Sequence, residues 1–600
     1  MPVLDRFVCS AIALLVWGCS AADGSSAARS RGVGGSECSS GRCAGCDSCI
    51  AACICQTGAN EQACAQACGS QAGGSGGGNL GGGGSGVGGG SGSGSSGVGG
   101  STGSTCPSGL TACGDACVDT STDPAHCGGC GQACGNGYRC EAGQCMGPRS
   151  DGCTETPVTA LSLSAIDAYQ SVQVPIMEMG SAIGPGVRNA DLVVGRKTVF
   201  RVHVTPDAGW IPREVSARIE LADVETPDPT QKKLFFGLLT PTAASTDAAL
   251  DSTFQVSVPA EAIGLATRYA VTLVECGGAP AGAPVASSTR ARFPSAGFEA
   301  LAARETGPLK VHIVPLSGTN VTEAGLQPFK ERLEAVYPIT EVEFTIGAPL
   351  TSYADSMCSL LASVTSRRTQ DRPPNDVYYY GLAPGILGGQ SGCSNTGSKV
   401  SAGWAEGYTP DNGRTGAATM CHELGHAHGR LHAPCNVQDP DPQYPYAGAA
   451  IGVWGYDHRS DAFIAPTSKD MMSYCPEPRW AAWISDYTYQ AIVERAAQVN
   501  GQAEVPASFD ASALVSWRLL VSDSAGVHWV KEPLLVRGTP DGDPVSALIH
   551  GEHGPMQQIV VYKQRLEDGV SDRAFMFTLP EPHESWRAIE IPGLLAPQSF

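Results

Sequence analysis

One short segment of the chain concentrates residues that can bind a metal ion. The stretch CHELGHAHGRLHAPC, residues 421–435, carries four histidines within eleven residues and a cysteine at each end. Its first two histidines follow the pattern H-E-x-x-H, which places His422 and His426 about 40° apart on one face of a helix and one turn apart. Their imidazoles can share one zinc ion, and Glu423 points toward the same edge.

The helical spacing also decides which later histidine can be the third ligand. His428 lies about 240° around the helix from His422 and therefore points away from the metal. His432 would lie about 15 Å along a continued helix, so it can bind only if the chain turns sharply before it. Gly429 tolerates the left-handed backbone that such a turn needs. We predict one zinc ion bound by His422, His426 and His432, with a fourth position open to water.

The whole pattern, H-E-x-x-H-x-x-G-x-x-H, resembles the signature of the metzincin zinc metallopeptidases, which combine it with a methionine-containing Met-turn. The segment SKDMMSYC is a candidate for that turn, because Met472 and Tyr474 match the M-x-Y form of astacin- and serralysin-like members. Met471 is the competing methionine. The resemblance covers roughly residues 308–495. It implies that Tyr474 binds zinc or stabilises the oxyanion; a packed aromatic side chain is the alternative.

The resemblance implies a zinc metalloendopeptidase that hydrolyses a protein or peptide substrate. Zinc would activate a water molecule, and Glu423 would act as the general base. Ala433 follows the third histidine where several eukaryotic subfamilies carry Asp, Glu or Ser, so neither subfamily nor substrate is assigned. A surface adhesin that binds without cutting is the alternative function, although the intact histidines and glutamate disfavour it. A structural zinc ion is disfavoured because three histidines leave a coordination position open.

The cysteines around this segment suggest a covalent tie. Cys435 lies three residues past His432, and Cys475 lies three residues past Met472. If both segments line the floor of the zinc site, these two cysteines approach each other, and we predict a disulfide between them. Cys421 projects from a different helix face, and two states stay open for it: a buried thiol, or a bridge to either of the other two cysteines of the domain, at positions 358 and 393.

Composition and charge indicate an exported protein. The chain has 600 residues and 25 cysteines. Its net charge of −20 argues against nucleic-acid binding. Sixteen cysteines fall in two clusters before residue 146, a density that requires an oxidising compartment. Without the two cysteines of the leader, 23 remain, so at least one is unpaired or intermolecular.

The first residues carry an export signal. The run MPVLDRFVCSAIALLVWGCS contains an apolar stretch of signal-peptide length. It ends in LVWGC, which resembles a bacterial lipoprotein box with Cys19 as the acylated residue; ordinary cleavage is the alternative. No later segment reaches about 18 uninterrupted apolar residues, so no transmembrane helix is expected. We expect an outer-membrane lipoprotein or an extracellular protein, and the sequence does not indicate an oligomeric state.

The pattern along the chain predicts a multidomain protein. Alternating apolar residues, as in STFQVSV, predict antiparallel β-sandwiches on both sides of a central domain. From Leu309 strands and helices alternate, which predicts an α/β, metzincin-like catalytic domain. The two cysteine clusters predict small disulfide-rich modules, and zinc binding is the competing interpretation for the first cluster. The second cluster carries the motif CGxxCVDTxxDPxHCGxCGxxC, which resembles a repeat of secreted bacterial proteins. The predicted segments are a signal peptide (1–19), a tether (20–37), a cysteine-rich module (38–68), a Gly/Ser linker (69–104), a cysteine-rich repeat (105–153), a β-sandwich (154–300), the catalytic domain (301–498) and a C-terminal β-sandwich (499–600).

Overall fold

A computed structural model describes residues 155–600, apart from 224–231, 277–279, 284–289, 352–353, 406–413, 438, 476–480, 502–513 and 568–572, together with parts of 106–146. All of these residues belong to one unit, Thr102–Phe600. The predicted signal peptide with Cys19, the tether, the first cysteine-rich module and the Gly/Ser linker lie outside the described residues. The predicted domain boundaries stay predictions.

The cysteine-rich repeat contains two small antiparallel hairpins. Disulfides join Cys106 to Cys117 and Cys127 to Cys140. Crosslinks of this kind hold short strands that could not bury a core of their own. The four strands are β1 (Thr111–Cys113), β2 (Ala116–Val118), β3 (Arg139–Glu141) and β4 (Gln144–Met146).

Residues 155–300 form two antiparallel sheets with a shared apolar interior. Burial alternates along the edge strand FQVSV, where Phe254, Val256 and Val258 are buried and the residues between them are exposed. The central strand TVFRVHVTP, which the sequence also predicts, is instead buried along most of its length. The first sheet contains β5 (Glu155–Pro157), β10 (Val215–Ala222), β11 (Lys233–Leu239), β13 (Arg268–Cys276), β14 (Arg292–Phe293) and β15 (Glu299–Ala300). The second has the order β12-β9-β6-β7-β8 and contains β6 (Leu161–Tyr169), β7 (Gln173–Glu178), β8 (Ser181–Ala182), β9 (Thr198–Pro206) and β12 (Phe254–Val258).

The central part is a mixed five-stranded sheet with helices on both faces. Its order is β17-β16-β18-β20-β19, and every neighbouring pair is parallel except β19 with β20. The elements are β16 (Leu309–Pro315), α1 (Glu323–Val336), β17 (Val342–Ile346), α2 (Met357–Asp371), β18 (Val377–Ala383), β19 (Gly392–Ser394), β20 (Val400–Trp404) and α3 (Arg414–Ala427), followed by the hairpin β21 (Gly455–Asp457) and β22 (Ala462–Ile464) and by α4 (Asp486–Asn500).

The side chains of β18 show why helices must cover both faces of the central sheet. Tyr378 and Tyr380 lie in the core shared with α1 and α3, whereas Tyr379 lies in the core that contains α2. A parallel strand covered on both faces reads as an almost continuous apolar run, as YYYGLA does. Ser356 begins α2 with a reciprocal capping box, which explains the sharp start of that helix.

The C-terminal segment corrects one prediction, because its described strands form a single eight-stranded sheet and not the two packed sheets of a second β-sandwich. The strand order is β24-β23-β28-β27-β26-β29-β30, with β25 on β23. One face encloses a core of its own, while Leu519, Val521 and Met576 pack with α2. Alternation predicts an apolar face correctly but does not tell that a helix covers it. The strands are β23 (Leu514–Asp523), β24 (Gly526–Trp529), β25 (Leu534–Arg537), β26 (Asp543–Gly551), β27 (Gly554–Leu566), β28 (Ala574–Pro580), β29 (Ala588–Ile591) and β30 (Leu595–Ser599).

The N-terminal sheets are joined to the central part by one continuous hydrophobic core that runs from Val158 to Val499. The buried guanidinium of Arg196 crosses the junction and donates to the carbonyls of Tyr337 and Ile339, and also to that of Gln170. Among the helices in the described ranges, none combines the length and hydropathy needed to cross a bilayer.

Candidate metal centre

Helix α3 brings the first two histidines together. The Nε2 atoms of His422 and His426 lie 3.1 Å apart, and both side chains are buried. The helix is held from behind by neighbouring hydroxyls: Tyr337 donates to the carbonyl of Cys421 at 2.6 Å, and Ser401 donates to that of Glu423 at 2.9 Å. The helical spacing therefore directs both imidazoles to one point, as the sequence predicts.

A sharp turn returns the chain to the same point. Helix α3 ends at Ala427, and Gly429 has a φ of +87°, a conformation that favours glycine. The turn places His432 beside the helix, with its Nε2 atom 3.1 Å from that of His426. The ligand atoms of His422, His426 and His432 all lie within 4.8 Å of one another, so these three residues could hold a metal ion.

Contacts outside the cluster fix the tautomer of two of these imidazoles. The Nδ1 atom of His422 lies 2.7 Å from the carbonyl oxygen of Met471, and that of His426 lies 2.7 Å from the carbonyl oxygen of Arg430. A carbonyl can only accept, so each Nδ1 carries the proton. Burial lowers the pKa of His426 to about 4, which keeps this ring neutral with its Nε2 lone pair directed inward.

The fourth histidine has a different environment. His428 is buried, and its Nδ1 atom donates to the carbonyl of Leu424 at 2.7 Å. Its ring stacks on Tyr378 with 4.7 Å between centroids and 10° between planes. Burial lowers the pKa of His428 to about 4. This ring is therefore a packed, neutral aromatic group that faces away from the cluster.

Glu423 lies between the histidine helix and the edge of the sheet. Its side chain is buried and, together with His422, lines a small cavity. A Cβ atom on Gly392 of β19 would overlap the Glu423 carboxylate, so the edge strand needs glycine at this close approach. A disulfide between Cys358 and Cys393 ties the same strand to α2.

The segment around the two methionines forms the floor under α3. A Cβ atom on Gly425 would overlap the Sδ atom of Met472 but would lie 3.5 Å from the Cε atom of Met471. Met472 is therefore the methionine that packs directly under this turn of α3. The buried carboxylate of Asp470 accepts from the backbone N–H of Met472 at 2.8 Å and from that of Ser485 at 2.9 Å. These bonds fix the backbone that presents the Met471 carbonyl to His422.

Tyr474 reaches the histidine cluster from this floor. Its hydroxyl lies 2.9 Å from the Nε2 atom of His432, and its ring centroid lies 4.8 Å from that of His432. A disulfide between Cys435 and Cys475 closes the loop between the third histidine and the floor. Inside that crosslink, the N–H of Tyr474 donates to the carbonyl of Cys435 at 3.1 Å.

Cys421 is a free, buried cysteine. Burial raises the pKa of its thiol to about 11, so the group is neutral at physiological pH. A bridge to Cys358 or Cys393, which the sequence left open, does not form because those two cysteines are bonded to each other.

A second group of potential metal ligands lies in the N-terminal sheets. Asp167, His203 and Asp247 come within 4.8 Å of one another through their ligand atoms. Gln173 donates to both carboxylates, at 3.1 and 3.3 Å, and Arg201 donates to Asp247 at 3.4 Å. Donors from the protein therefore already satisfy both carboxylates of this group.

Sequence reasoning did not anticipate Gly392, Asp470 or Glu567, a C-terminal residue whose Oε2 atom lies 3.7 Å from Nδ1 of His432. Gly392 and Glu567 act through contacts between segments that are distant along the chain, whereas Asp470 acts on the nearby backbone of Met472 and Ser485. None lies in a local pattern with a fixed spacing to the histidines, so no signal in a single sequence could have found them.

Comparisons with known proteins match the segment that builds this cluster. The sequence profile of the family described as Peptidase M66 matches residues 388–479, and that of the Stigma-specific STIG1-like protein family matches residues 95–147. Two proteins named dictomallein, from Burkholderia mallei (strain SAVP1) and Burkholderia pseudomallei (strain 668), are each 29% identical over 202 residues, which is 32% of this chain.

The matched part is a limited share of those relatives, because it covers 28% of each dictomallein. A solved structure described as "Structure of a chaperone-substrate complex" aligns at 12% identity over 42% of this chain and 40% of that chain, with a TM-score of 0.22, which is too low to indicate a common fold. The disulfides of the described residues are consistent with an extracellular protein. The match to Peptidase M66 supports a peptidase.

Proposed function

We propose that this protein is an exported, zinc-dependent endopeptidase of metzincin type, with His422, His426 and His432 as the zinc ligands. The observation that carries the proposal is the convergence of three buried imidazoles, whose Nε2 atoms lie 3.1 Å apart in two successive pairs. Three imidazoles that converge on one point suit zinc, which prefers nitrogen ligands and keeps a fourth position open in catalytic sites. The Peptidase M66 match, which spans this segment, supports the same conclusion.

The proposed mechanism assigns a role to each neighbouring side chain. Zinc, when bound, would supply a Lewis acid and lower the pKa of a water molecule toward neutrality. Glu423, beside His422 in a small cavity, accepts a proton from the attacking water and delivers it to the leaving amine. The hydroxyl of Tyr474, 2.9 Å from Nε2 of His432, would donate to the negative charge that develops on the substrate carbonyl oxygen. Met472 supports the helix from below.

The proposal also covers location. Export with acylation at Cys19, or ordinary cleavage of the leader, would place the chain on the outer membrane or outside the cell. The acidic net charge of −20 favours protein or peptide substrates over nucleic acids as partners. A structural zinc site does not account for Glu423 and Tyr474, which a closed site would not need.

The decisive variant is Glu423→Gln, which keeps the size of the side chain and removes its basicity. We expect this variant to retain one zinc per chain and to lose casein cleavage by roughly 10²–10⁴-fold, the usual contribution of a general base. Zinc is measured by elemental analysis, and cleavage is measured with and without a chelator.

His428→Phe is the matched control, because it removes a histidine of the same segment but keeps an aromatic ring on Tyr378. This control should keep its zinc, whereas His432→Ala should lose it. Full activity in Glu423→Gln would contradict the assignment of the base. An unmodified chain that binds zinc yet cleaves neither casein nor gelatin would favour the adhesin.

A further inference from the structure

We propose that Glu567 is a positioning residue for His432, and that the C-terminal sheet therefore completes the metal centre. This inference rests on the proposed function, because it concerns the imidazole that we assign as the third zinc ligand. The contact joins parts of the chain that the sequence places in different domains.

The backbone holds Glu567 next to the site. The residue directly follows β27, and its N–H and C=O pair with Ser394 at the end of β19, at 2.8 and 3.0 Å. The same edge strand carries Gly392, which lies against Glu423. Glu567 is therefore anchored directly to the strand that borders the proposed catalytic residues.

The Glu567 side chain points at the outer face of His432. It is 7% exposed, and its Oε2 atom lies 3.7 Å from Nδ1 of His432. The other carboxylate oxygen lies 3.5 Å from Nε of Arg565, which in turn contacts Asp439 at 2.7 Å. A buried carboxylate needs such partners to offset its loss of hydration. A shift of less than 1 Å would turn the contact with His432 into a hydrogen bond.

The comparison among the three imidazoles carries the inference. Each ring has Nε2 near the shared point and an oxygen near Nδ1 on the other side, at 2.7 Å for His422 and His426 and at 3.7 Å for His432. For His422 and His426 that oxygen is a carbonyl of the local chain, from Met471 and Arg430. For His432 the described oxygen is the carboxylate of Glu567. Outer partners of this type fix the tautomer and orientation of a ligating histidine, and a carboxylate also raises its basicity.

The test compares Glu567→Ala and Glu567→Gln with the unmodified full-length chain. The zinc dissociation constant is measured by competition with a chromogenic chelator, and the absorption spectrum is recorded with cobalt in place of zinc. We expect Glu567→Ala to weaken zinc binding by roughly 10–100-fold and to alter the cobalt spectrum. Glu567→Gln keeps an acceptor but loses the charge, so its affinity should lie between those of the alanine variant and the unmodified chain.

Glu590→Gln is the matched control, because Glu590 contacts a histidine of the same sheet, with 2.9 Å between its Oε2 atom and Nε2 of His550. This control should bind zinc as the unmodified chain does. Melting temperatures of the zinc-free proteins show whether Glu567→Ala has lost its fold; the near-isosteric Glu567→Gln then decides the outcome.

The outcomes separate the two proposals. Unchanged zinc affinity and an unchanged cobalt spectrum in both Glu567 variants would overturn this inference alone. Loss of affinity in these variants, with no peptide cleavage by the unmodified chain, would support the inference and overturn the peptidase. An unmodified chain that binds neither zinc nor cobalt would overturn both.

Discussion

The contact between Gly425 and Met472 gives the sharpest prediction of stability. Gly425 lies between two of the proposed ligands on α3, and a Cβ atom there would overlap the Met472 thioether. Met472 is 1% exposed, and its backbone is fixed on both sides, by the Asp470 carboxylate at 2.8 Å and by the N–H of Ala433 at 2.9 Å. The substitution Gly425→Ala must therefore displace a side chain that has little free space.

Two opposing effects determine the size of the change. Alanine is favoured over glycine in a helix interior by about 1 kcal/mol. Overpacking a buried site costs about 1–3 kcal/mol, and the fixed backbone of Met472 places this site near the upper end. We therefore expect Gly425→Ala to lower the free energy of unfolding by about 1–2 kcal/mol. Met472→Ala alone should cost about 2–5 kcal/mol, since it leaves a cavity.

The double variant Gly425→Ala/Met472→Ala distinguishes steric overlap from other causes. The new methyl group occupies part of the vacated space, so the double variant should be at least as stable as Met472→Ala. The coupling energy should reach about 1–3 kcal/mol. Urea unfolding of the four full-length proteins measures this cycle, and chelator competition measures zinc affinity in parallel.

Gly425 has a matched control in another helix. At Gly325 of α1, which is exposed, a Cβ atom would meet only the Thr322 hydroxyl, at 3.2 Å. Gly325→Ala should therefore raise stability by less than the helix-interior value of about 1 kcal/mol, because Gly325 lies in the first turn and its N–H donates to the Thr322 hydroxyl. If Gly425→Ala were as stabilising as Gly325→Ala, or if the two changes at Gly425 and Met472 were additive, the packing argument would be refuted.

Two further predictions follow from other contacts. Burial, with a contribution from Arg196, lowers the pKa of His458 to about 3, below its ordinary value of 6.5. As the pH falls, the unfolded chain therefore binds a proton at this residue before the folded chain does, which should lower the free energy of unfolding by about 2 kcal/mol between pH 7 and pH 5. In urea unfolding, the His458→Gln variant should lose less stability over that range than the unmodified chain. An equal loss in both proteins would contradict the assignment. Replacing both Cys435 and Cys475 by serine opens a loop of 40 residues. The loss of this crosslink should lower the free energy of unfolding by about 4 kcal/mol on the chain-entropy model. An unchanged urea midpoint would contradict this prediction.

The sequence predicts the histidine cluster well because its geometry is local. Two rings on one helical turn and a third after a glycine are fixed by the pitch of the helix and by the backbone freedom of Gly429. The contacts that orient the rings are less local. Asp470 and Glu567 act across sheet edges and turns, and their positions depend on how whole elements pack. No spacing within one sequence encodes such contacts.

The fold shows the same division. The strands and helices expected between residues 309 and 404 are present. The structure adds β19, which was not predicted because a three-residue strand is too short to give a periodic signal. Helix α4 was not anticipated, although its periodic apolar residues Tyr489, Ile492 and Val493 are buried. The second β-sandwich was wrong because alternation reports an apolar face and not what packs against it.

If the proposed function is right, the two disulfides near the cluster determine when the protein becomes active. One ties β19 to α2, and the other ties the third histidine to the floor. A newly made chain in a reducing cytoplasm would lack both crosslinks and hold these segments through non-covalent contacts alone. Under the proposed export, oxidation after translocation would complete the site. Maturation would then be timed by arrival outside the cell, and cytoplasmic proteins would be spared from cleavage by the chain that is being synthesised beside them.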